Sequence, residues 1–524
     1  MRCMQLGKIE WWRAKERVIV YTLGVGLVSI WTLLRFFTQR TIFDLVSQQV
    51  IAHQWLHNSI STAHMGQTAY VPKMLLLYTP LDVLPGSPRL KLLLLTLAIN
   101  IATFVCIGLL LERLLRQYGV RIGWMFYATL LWLSVIAGSV FWIEFANSRN
   151  LEVAGGVLLL LIGIRYVERP SRKLAIGIAA FGGLLFFGDP LQVYMTGIPL
   201  ILYAGSLALA RKTDRRGTAI LCGLIALAWV TSRLLFAATG SWLHLTFTAT
   251  GAAPIPHLSA AWLEQSIVGA AKATLSLLAG AADAGRLREA ANLTLLACGV
   301  LALVYAGIRK WLPHKLLLMA GFIWVINLLV YIVSGQAVQG AATSRYLIMT
   351  VPALALVLSA LRVPKAAVRP AAIAVVAALM LNTVTLAGTL DTHWDTTFPA
   401  DEHIASTYRY IQKHPATHVY ASLDTGMAIQ YYQRLSADKA LPMGCLNGRL
   451  VRTYFSMDQA FSADAADARA TAAIVFDNAA ISNTPNICTP VSVQGQFGMP
   501  TSVDHLDDGS VVLRYPQSAL QLAG

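Results

Sequence analysis

Charge is what this chain has least of. Of its 524 residues only 13% are Asp, Glu, Lys or Arg, whereas 56% are hydrophobic, and mean hydropathy is +0.58. A soluble domain carries nearly twice that charged fraction, so too little polar surface is available to face water and an ordinary soluble domain is excluded. Acidic residues are the scarcer sign, with 26 Asp and Glu against 41 Lys and Arg and a net charge of +15. Six cysteines are present without a CxxC pair or Cys/His zinc spacing, and GxGxxG, Walker and GxSxG motifs are missing, which disfavours soluble nucleotide enzymes and zinc domains. There is no internal repeat, and no basic stripe interleaved with aromatics of the kind that tracks nucleic acid. The segment 2–17 is too charged and too rich in Trp for a signal peptide, so the first apolar run is expected to stay as an anchor.

Long apolar runs stand in the place of charge. They lie near 18–37, 92–111, 122–142, 151–166, 174–187, 191–210, 217–237, 290–308, 316–333, 347–361 and 371–390, and about 20 apolar residues cross a bilayer as a helix. The expectation is an all-α polytopic membrane protein of about eleven helices, the fourth and fifth being short. Basic residues gather in alternate connections: Arg13, Lys15 and Arg17; Arg113, Arg116 and Arg121; Arg165, Arg169, Arg172 and Lys173; Arg211, Lys212, Arg215 and Arg216; Arg309, Lys310 and Lys315; Arg362, Lys365 and Arg369. The positive-inside rule makes these cytoplasmic, with the N-terminus in and the C-terminus out. Long segments 38–91 and 238–289, and all that follows 391, then face outwards, which places any chemistry on the outer side of a cytoplasmic (inner) membrane. Residues 1–390 read as the transmembrane domain. Residues 391–524, with dispersed charge, strand-like runs at 417–423, 472–476 and 510–515 and helical stretches at 401–414 and 425–434, read as a small extracytoplasmic α/β domain. Cys445 and Cys488 lie in it, and an extracytoplasmic location permits a disulfide between them; two separate buried thiols are the alternative.

Several residues at the outer ends of the spans carry possible chemistry. Asp44 follows the first span in Thr41-Ile42-Phe43-Asp44; a carboxylate there suits a general base or a metal ligand, and Thr41-x-x-Asp44 reads equally as a capping box. His53 and His57 have metal-ligand spacing, but Gln54 stands where a zincin motif needs Glu. On an ideal helix Asp44 points about 180° away from His53, so the two histidines read as interfacial. Glu144 and Arg149 join spans three and four; Arg149 offers a planar fork for a phosphate, while Ser148 or Asn150 capping the next helix is the bland reading. Gly188-Asp189-Pro190 interrupts an apolar run, with Asp189 either functional or an N-cap before Pro190. Arg233 and Arg345 lie at the outer ends of late spans, against the topological bias, where a charge needs an anionic lipid phosphate or a carboxylate partner. Pro254 and Pro256 precede an amphipathic stretch over 258–282 that suits either a lateral cover or an inert interface helix.

Asp44 in a long outer loop, Glu144 and Arg149 between helices three and four, Gly188-Asp189-Pro190, Ser344-Arg345-Tyr346 before a late helix, and an outer C-terminal domain together make the chain resemble the GT-C superfamily of integral-membrane glycosyltransferases. The resemblance covers the architecture of the whole chain; the family's Asp-x-Asp or Glu-x-Asp pair is absent at Asp44. It implies transfer of a sugar from a polyprenyl-phosphate donor to a glycan, lipid or protein acceptor outside the cytoplasm. Asp44 is then the base, with Asp189 or Glu144 orienting the acceptor or replacing it, and Arg149, Arg233 or Arg345 holds the donor phosphate. A divalent metal ion is the one cofactor left open, and membrane lipid is the remaining partner. A lipid-linked glycan flippase or transporter, which should carry polar residues through midmembrane, and a noncatalytic envelope-assembly protein are the rival readings.

Overall fold

The computed structural model describes residues 2–38, 49–50, 52–53, 56, 63–65, 74–136, 149–210, 214–242, 245–247, 259–279, 290, 294, 304–305, 307–310, 312–334, 337–338, 344, 346–388, 402–414, 416, 418–432, 440–446, 449–452, 471–476 and 488–520. Over these it is mostly helical. Five helical segments are long and apolar enough to cross a membrane: Lys15–Phe37, Pro88–Gln117, Arg215–Trp242, His314–Val333 and Lys365–Gly388. Their outward faces stay apolar, as with Ile30 on the first, Leu234 on the third and Ile373 on the last, which are 52%, 66% and 70% exposed. Exposed aliphatic rows of that kind are costly in water and cost nothing in hydrocarbon, so the chain is a membrane-embedded protein.

Other expected spans are shorter. The run near 347–361 becomes the helix Thr350–Ala360, and of the run near 122–142 the helix Trp124–Ser134 is described, residues 137–142 lying outside the described residues. Eleven residues rise only about 16 Å, roughly half of a hydrocarbon core. Leu151–Glu168 and Arg172–Gly188 have 18 and 17 residues. Most of the run near 290–308 lies outside the described residues.

The chain divides into two compact units. One comprises 1–35, 96–234 and 253–390; the other comprises 36–95, 235–252 and 391–524. The second unit therefore draws together the two long connecting segments and the C-terminal domain, although these are far apart in the sequence.

In the first unit one apolar core runs from Val28 and Phe104 through Val157 and Leu200 to Leu356. Close approach is built in by glycine: a Cβ on Gly163 would stand 2.1 Å from a methyl of buried Leu200, so only a bare Cα fits between these helices. Leu151–Glu168 packs closely against Arg172–Gly188, and His314–Val333 against Thr350–Ala360.

In the second unit a six-stranded sheet is built from β3 (His418–Ser422), β4 (Ala440–Leu446), β5 (Arg449–Arg452), β6 (Thr471–Phe476), β7 (Ser502–His505) and β8 (Val511–Pro516), in the order β5-β4-β3-β6-β8-β7. The central strand β3 runs parallel to β4 and β6, and the remaining pairings are antiparallel. Alternation sorts the side chains between two cores. Tyr420, Ile474, Leu513 and Tyr515 pack with Val493 of the helix Pro490–Phe497, whereas Val419, Ala421, Val475 and Val512 pack with Ile404 and Ile411 of Glu402–Lys413 and Ala428 and Ile429 of Leu423–Tyr432. Helices cover both faces, as a sheet with parallel central strands requires. The expected runs at 417–423, 472–476 and 510–515 correspond to β3, β6 and β8. A separate parallel pair, β1 (Ala63–Met65) with β2 (Leu245–Phe247), joins the two long connecting segments, for which the sequence predicts no strand.

Candidate functional site

Two antiparallel helices set the polar centre of the first unit. Arg172–Gly188 ends at Gly188-Asp189-Pro190, and its neighbour Leu151–Glu168 starts directly after Arg149 and Asn150. Asp189 thus sits at the negative end of one helix dipole and Arg149 at the positive end of the other. Each charge is unfavourable where it stands, and each is answered by the other: Arg149 donates through a guanidinium nitrogen to Asp189 Oδ2 in a buried ion pair, with the two side chains 7% and 1% exposed. The second carboxylate oxygen of Asp189 accepts the backbone N–H of Leu191 at 3.2 Å, and Gln192 Nε2 lies 3.4 Å from Oδ2. The Arg149 guanidinium also lies 5.3 Å from the ring centre of Tyr346, within cation–π range.

A chain of hydrogen bonds adjoins this pair. Asn150 Nδ2 donates to Asn100 Oδ1 at 3.1 Å, Asn100 Nδ2 donates to Thr32 Oγ1 at 2.9 Å, and Thr32 Oγ1 donates to the Val28 carbonyl at 2.7 Å. All three side chains are buried, as is Glu152 in the first turn of Leu151–Glu168. Beyond Pro190 the backbone passes through a π-helical turn, Val193–Gly197, before the helix Ile198–Leu209. Asn327 of the neighbouring helix His314–Val333 donates to the Met195 carbonyl at 3.3 Å, which satisfies a backbone group in that irregular turn.

Of the residues singled out from the sequence, Arg149 and Asp189 are brought together. This changes their relation: a proposed phosphate ligand and a proposed acid/base residue form one buried pair. Arg233 stands apart on the exposed side of Arg215–Trp242, its guanidinium 5.3 Å over the ring of Trp229 one turn earlier. Asp44, Glu144 and Arg345 lie outside the described residues, as does His57. His53 is described: its Nδ1 lies 2.9 Å from Oδ2 of buried Asp82, and Lys91 Nζ donates to the Asp82 carbonyl at 2.8 Å. Among the described residues no group of three or more His, Cys, Asp or Glu could hold a metal ion. Cys488 is buried and disulfide-bonded; Cys445 lies on β4, and its side chain is outside the described residues.

Sequence reasoning missed Tyr346 and Gln192 as neighbours of the pair, and Asn100 and Thr32 as members of the hydrogen-bond chain from Asn150. Tyr346 was within reach, because it ends the Ser344-Arg345-Tyr346 string. Asn150 read as a helix cap, but it makes no side-chain capping bond and turns instead to Asn100. Asn100 carries no signal beyond being an amide in an apolar run, where a lone polar group normally finds a partner.

In the second unit Tyr410 donates to Asp504, and the Tyr410 and His414 rings stack at 4.8 Å. Burial, then the bond to Asp504, pushes the Tyr410 hydroxyl above the usual tyrosine value, against an opposing effect of Arg514.

Compared with known proteins, the chain matches no protein-family model and no curated protein sequence.

Proposed function

We propose that this protein is a membrane glycosyltransferase of the GT-C type, moving a sugar from a polyprenyl-phosphate donor to an extracytoplasmic glycan, lipid or protein acceptor with inversion. The observation that carries the reading is the buried Arg149–Asp189 pair over Tyr346. The Arg149 guanidinium offers a planar fork of the geometry that suits a phosphate, and it stands at the start of a helix, where anions are favoured. In this reading Asp189 positions Arg149, and Arg149, with Arg345, neutralises charge that grows on the leaving phosphate. Asp44 takes the proton from the acceptor hydroxyl, and Glu144 orients the acceptor. Arg233, exposed beside Trp229, becomes an interfacial anchor in this scheme. The topology that suits it has eleven crossings in a cytoplasmic membrane, with the N-terminus inside and the C-terminal α/β domain outside, as the alternation of basic connections supports. Cys445 and Cys488 then pair in an oxidising compartment; Cys445 is the cross-strand partner of Leu450, which packs in the same cluster as Cys488.

The test is sugar transfer from a panel of polyprenyl-phosphate sugars by the wild type, Asp44→Asn and Arg149→Lys, with donor binding measured in parallel. The reading expects turnover by the wild type, retained donor binding with lost turnover in Asp44→Asn, and weakened donor use in Arg149→Lys because the bidentate fork is lost. Donor turned over equally by all three proteins refutes the assigned roles.

A second reading, a lipid-linked glycan transporter, is favoured by the buried chain Thr32–Asn100–Asn150, because amides inside a bundle suit the path of a polar headgroup. It expects headgroup translocation across vesicles in place of sugar transfer, and loss of translocation in Asn100→Leu.

A further inference from the structure

The other end of the same helices carries a cleft of about 590 Å³ bounded by Arg113, Arg116, Arg165 and Arg169, with Gln117 and Glu168. Three elements converge there: the last turns of Pro88–Gln117 and of Leu151–Glu168, and the start of Arg172–Gly188, whose N-cap Ser171 also lines the cleft. Of the two nearby carboxylates, Glu168 keeps its charge in the lining and Glu112 is paired with arginines. Glu168 accepts from Gln117 at 2.9 Å, and Glu112 is held between Arg116 and Arg17, the latter at 3.0 Å. Among the described residues no carboxylate pairs with Arg113, Arg165 or Arg169. With four arginines and the single carboxylate of Glu168 in its lining, the cleft carries an excess of positive charge that an entering anion offsets, and the start of Arg172–Gly188 adds positive potential.

We propose that this cleft is a binding site for a phosphate-bearing anion, of the class that an acidic phospholipid headgroup presents. Apolar surface beside it fits a lipid source. Leu109 precedes Arg113 by one turn and is 43% exposed, and Ile176, just past Leu174 of the cleft lining, is 67% exposed. An acyl chain can lie along these residues while its phosphate occupies the arginines. The cleft and the Arg149–Asp189 pair are at opposite ends of Leu151–Glu168, roughly 25 Å apart at 1.5 Å per residue, so this site does not rest on the proposed activity.

The experiment is native mass spectrometry of the full chain in nonionic detergent, titrated separately with phosphatidylglycerol, phosphatidylcholine and inorganic phosphate. The proteins compared are the wild type, Arg165→Gln/Arg169→Gln, and a control of equal charge, Arg215→Gln/Arg216→Gln. Monodispersity on size exclusion shows that each variant is folded. Expected is a retained phosphatidylglycerol adduct on the wild type and the control, with affinity falling on the order of tenfold or more in Arg165→Gln/Arg169→Gln, and weaker retention of phosphatidylcholine. Phosphate retained through the same two arginines without lipid retention supports the anion site and assigns it to a soluble ligand. Equal retention of phosphatidylglycerol by all three proteins, or no retention of either anion by the wild type, overturns the proposal.

Discussion

Removing one half of the Arg149–Asp189 pair should cost far more than removing both. The two side chains are 7% and 1% exposed, so solvent screens neither, and either charge alone stays buried after losing its opposite. That condition destabilises by about 3–5 kcal/mol. Asp189→Asn keeps the shape of the side chain and an oxygen for the Leu191 N–H, so its loss isolates the charge; Arg149→Gln does the converse. In the double variant no charge is buried, and the remaining loss is that of the hydrogen bonds, about 1–3 kcal/mol. Each single effect should therefore exceed the double effect by about 2 kcal/mol, and the two singles summed should exceed it by roughly 6 kcal/mol. Unfolding titrated with SDS in mixed micelles, followed by tryptophan fluorescence on all four proteins, closes the cycle. Additivity within about 0.5 kcal/mol would refute the claim that the two charges are kept by each other. It would leave Asp189 as a turn residue bonded to Leu191.

Three further outcomes are expected. Gly163→Ala should destabilise by about 1–3 kcal/mol, because the new methyl would stand 2.1, 2.9 and 3.0 Å from three carbons of Leu200; Gly205→Ala, where nothing lies within 4 Å, should be neutral or stabilising by up to about 1 kcal/mol, and the same SDS titration compares them. Tyr410 binds its proton more tightly folded than unfolded, so its contribution to stability is fully present below pH 10 and is lost as pH rises through its raised folded value; unfolding measured across that range should show a shallower alkaline decline in Tyr410→Phe, and an unchanged slope would remove Tyr410 as a cause. Cys488 is disulfide-bonded, and with Cys445 as its partner Cys445→Ser should free one thiol titratable under denaturing, non-reducing conditions and cost about 4 kcal/mol by loop closure; no new thiol would exclude Cys445.

The membrane character, the positions of the long apolar helices and the α/β nature of residues 402–520 were legible from sequence, because hydropathy and side-chain period are local properties. Strands β3, β6 and β8 announced themselves by apolar residues facing covered sheet surfaces. Strand β4, which reads Ala-Leu-Pro-Met-Gly-Cys-Leu, did not, since proline and glycine interrupt the pattern and only pairing with β3 and β5 holds it as a strand. The helix within 347–361 is shorter than its apolar run, Thr350–Ala360, because an apolar run records what lipid or a protein core tolerates, and both tolerate the same residues.

The candidate site divides in the same way. Arg149 and Asp189 stood out as charges at the edges of apolar runs, a one-dimensional signal. That they face each other, that Tyr346 closes over the guanidinium, and that Asn100 and Thr32 complete the neighbouring hydrogen bonds depend on which helices pack side by side. Composition and periodicity determined the class of solvent around this protein and the kinds of element within it. Only the tertiary structure decided which charges meet, because partners 40 to 197 residues apart are chosen by helix packing and not by anything written next to them in the chain.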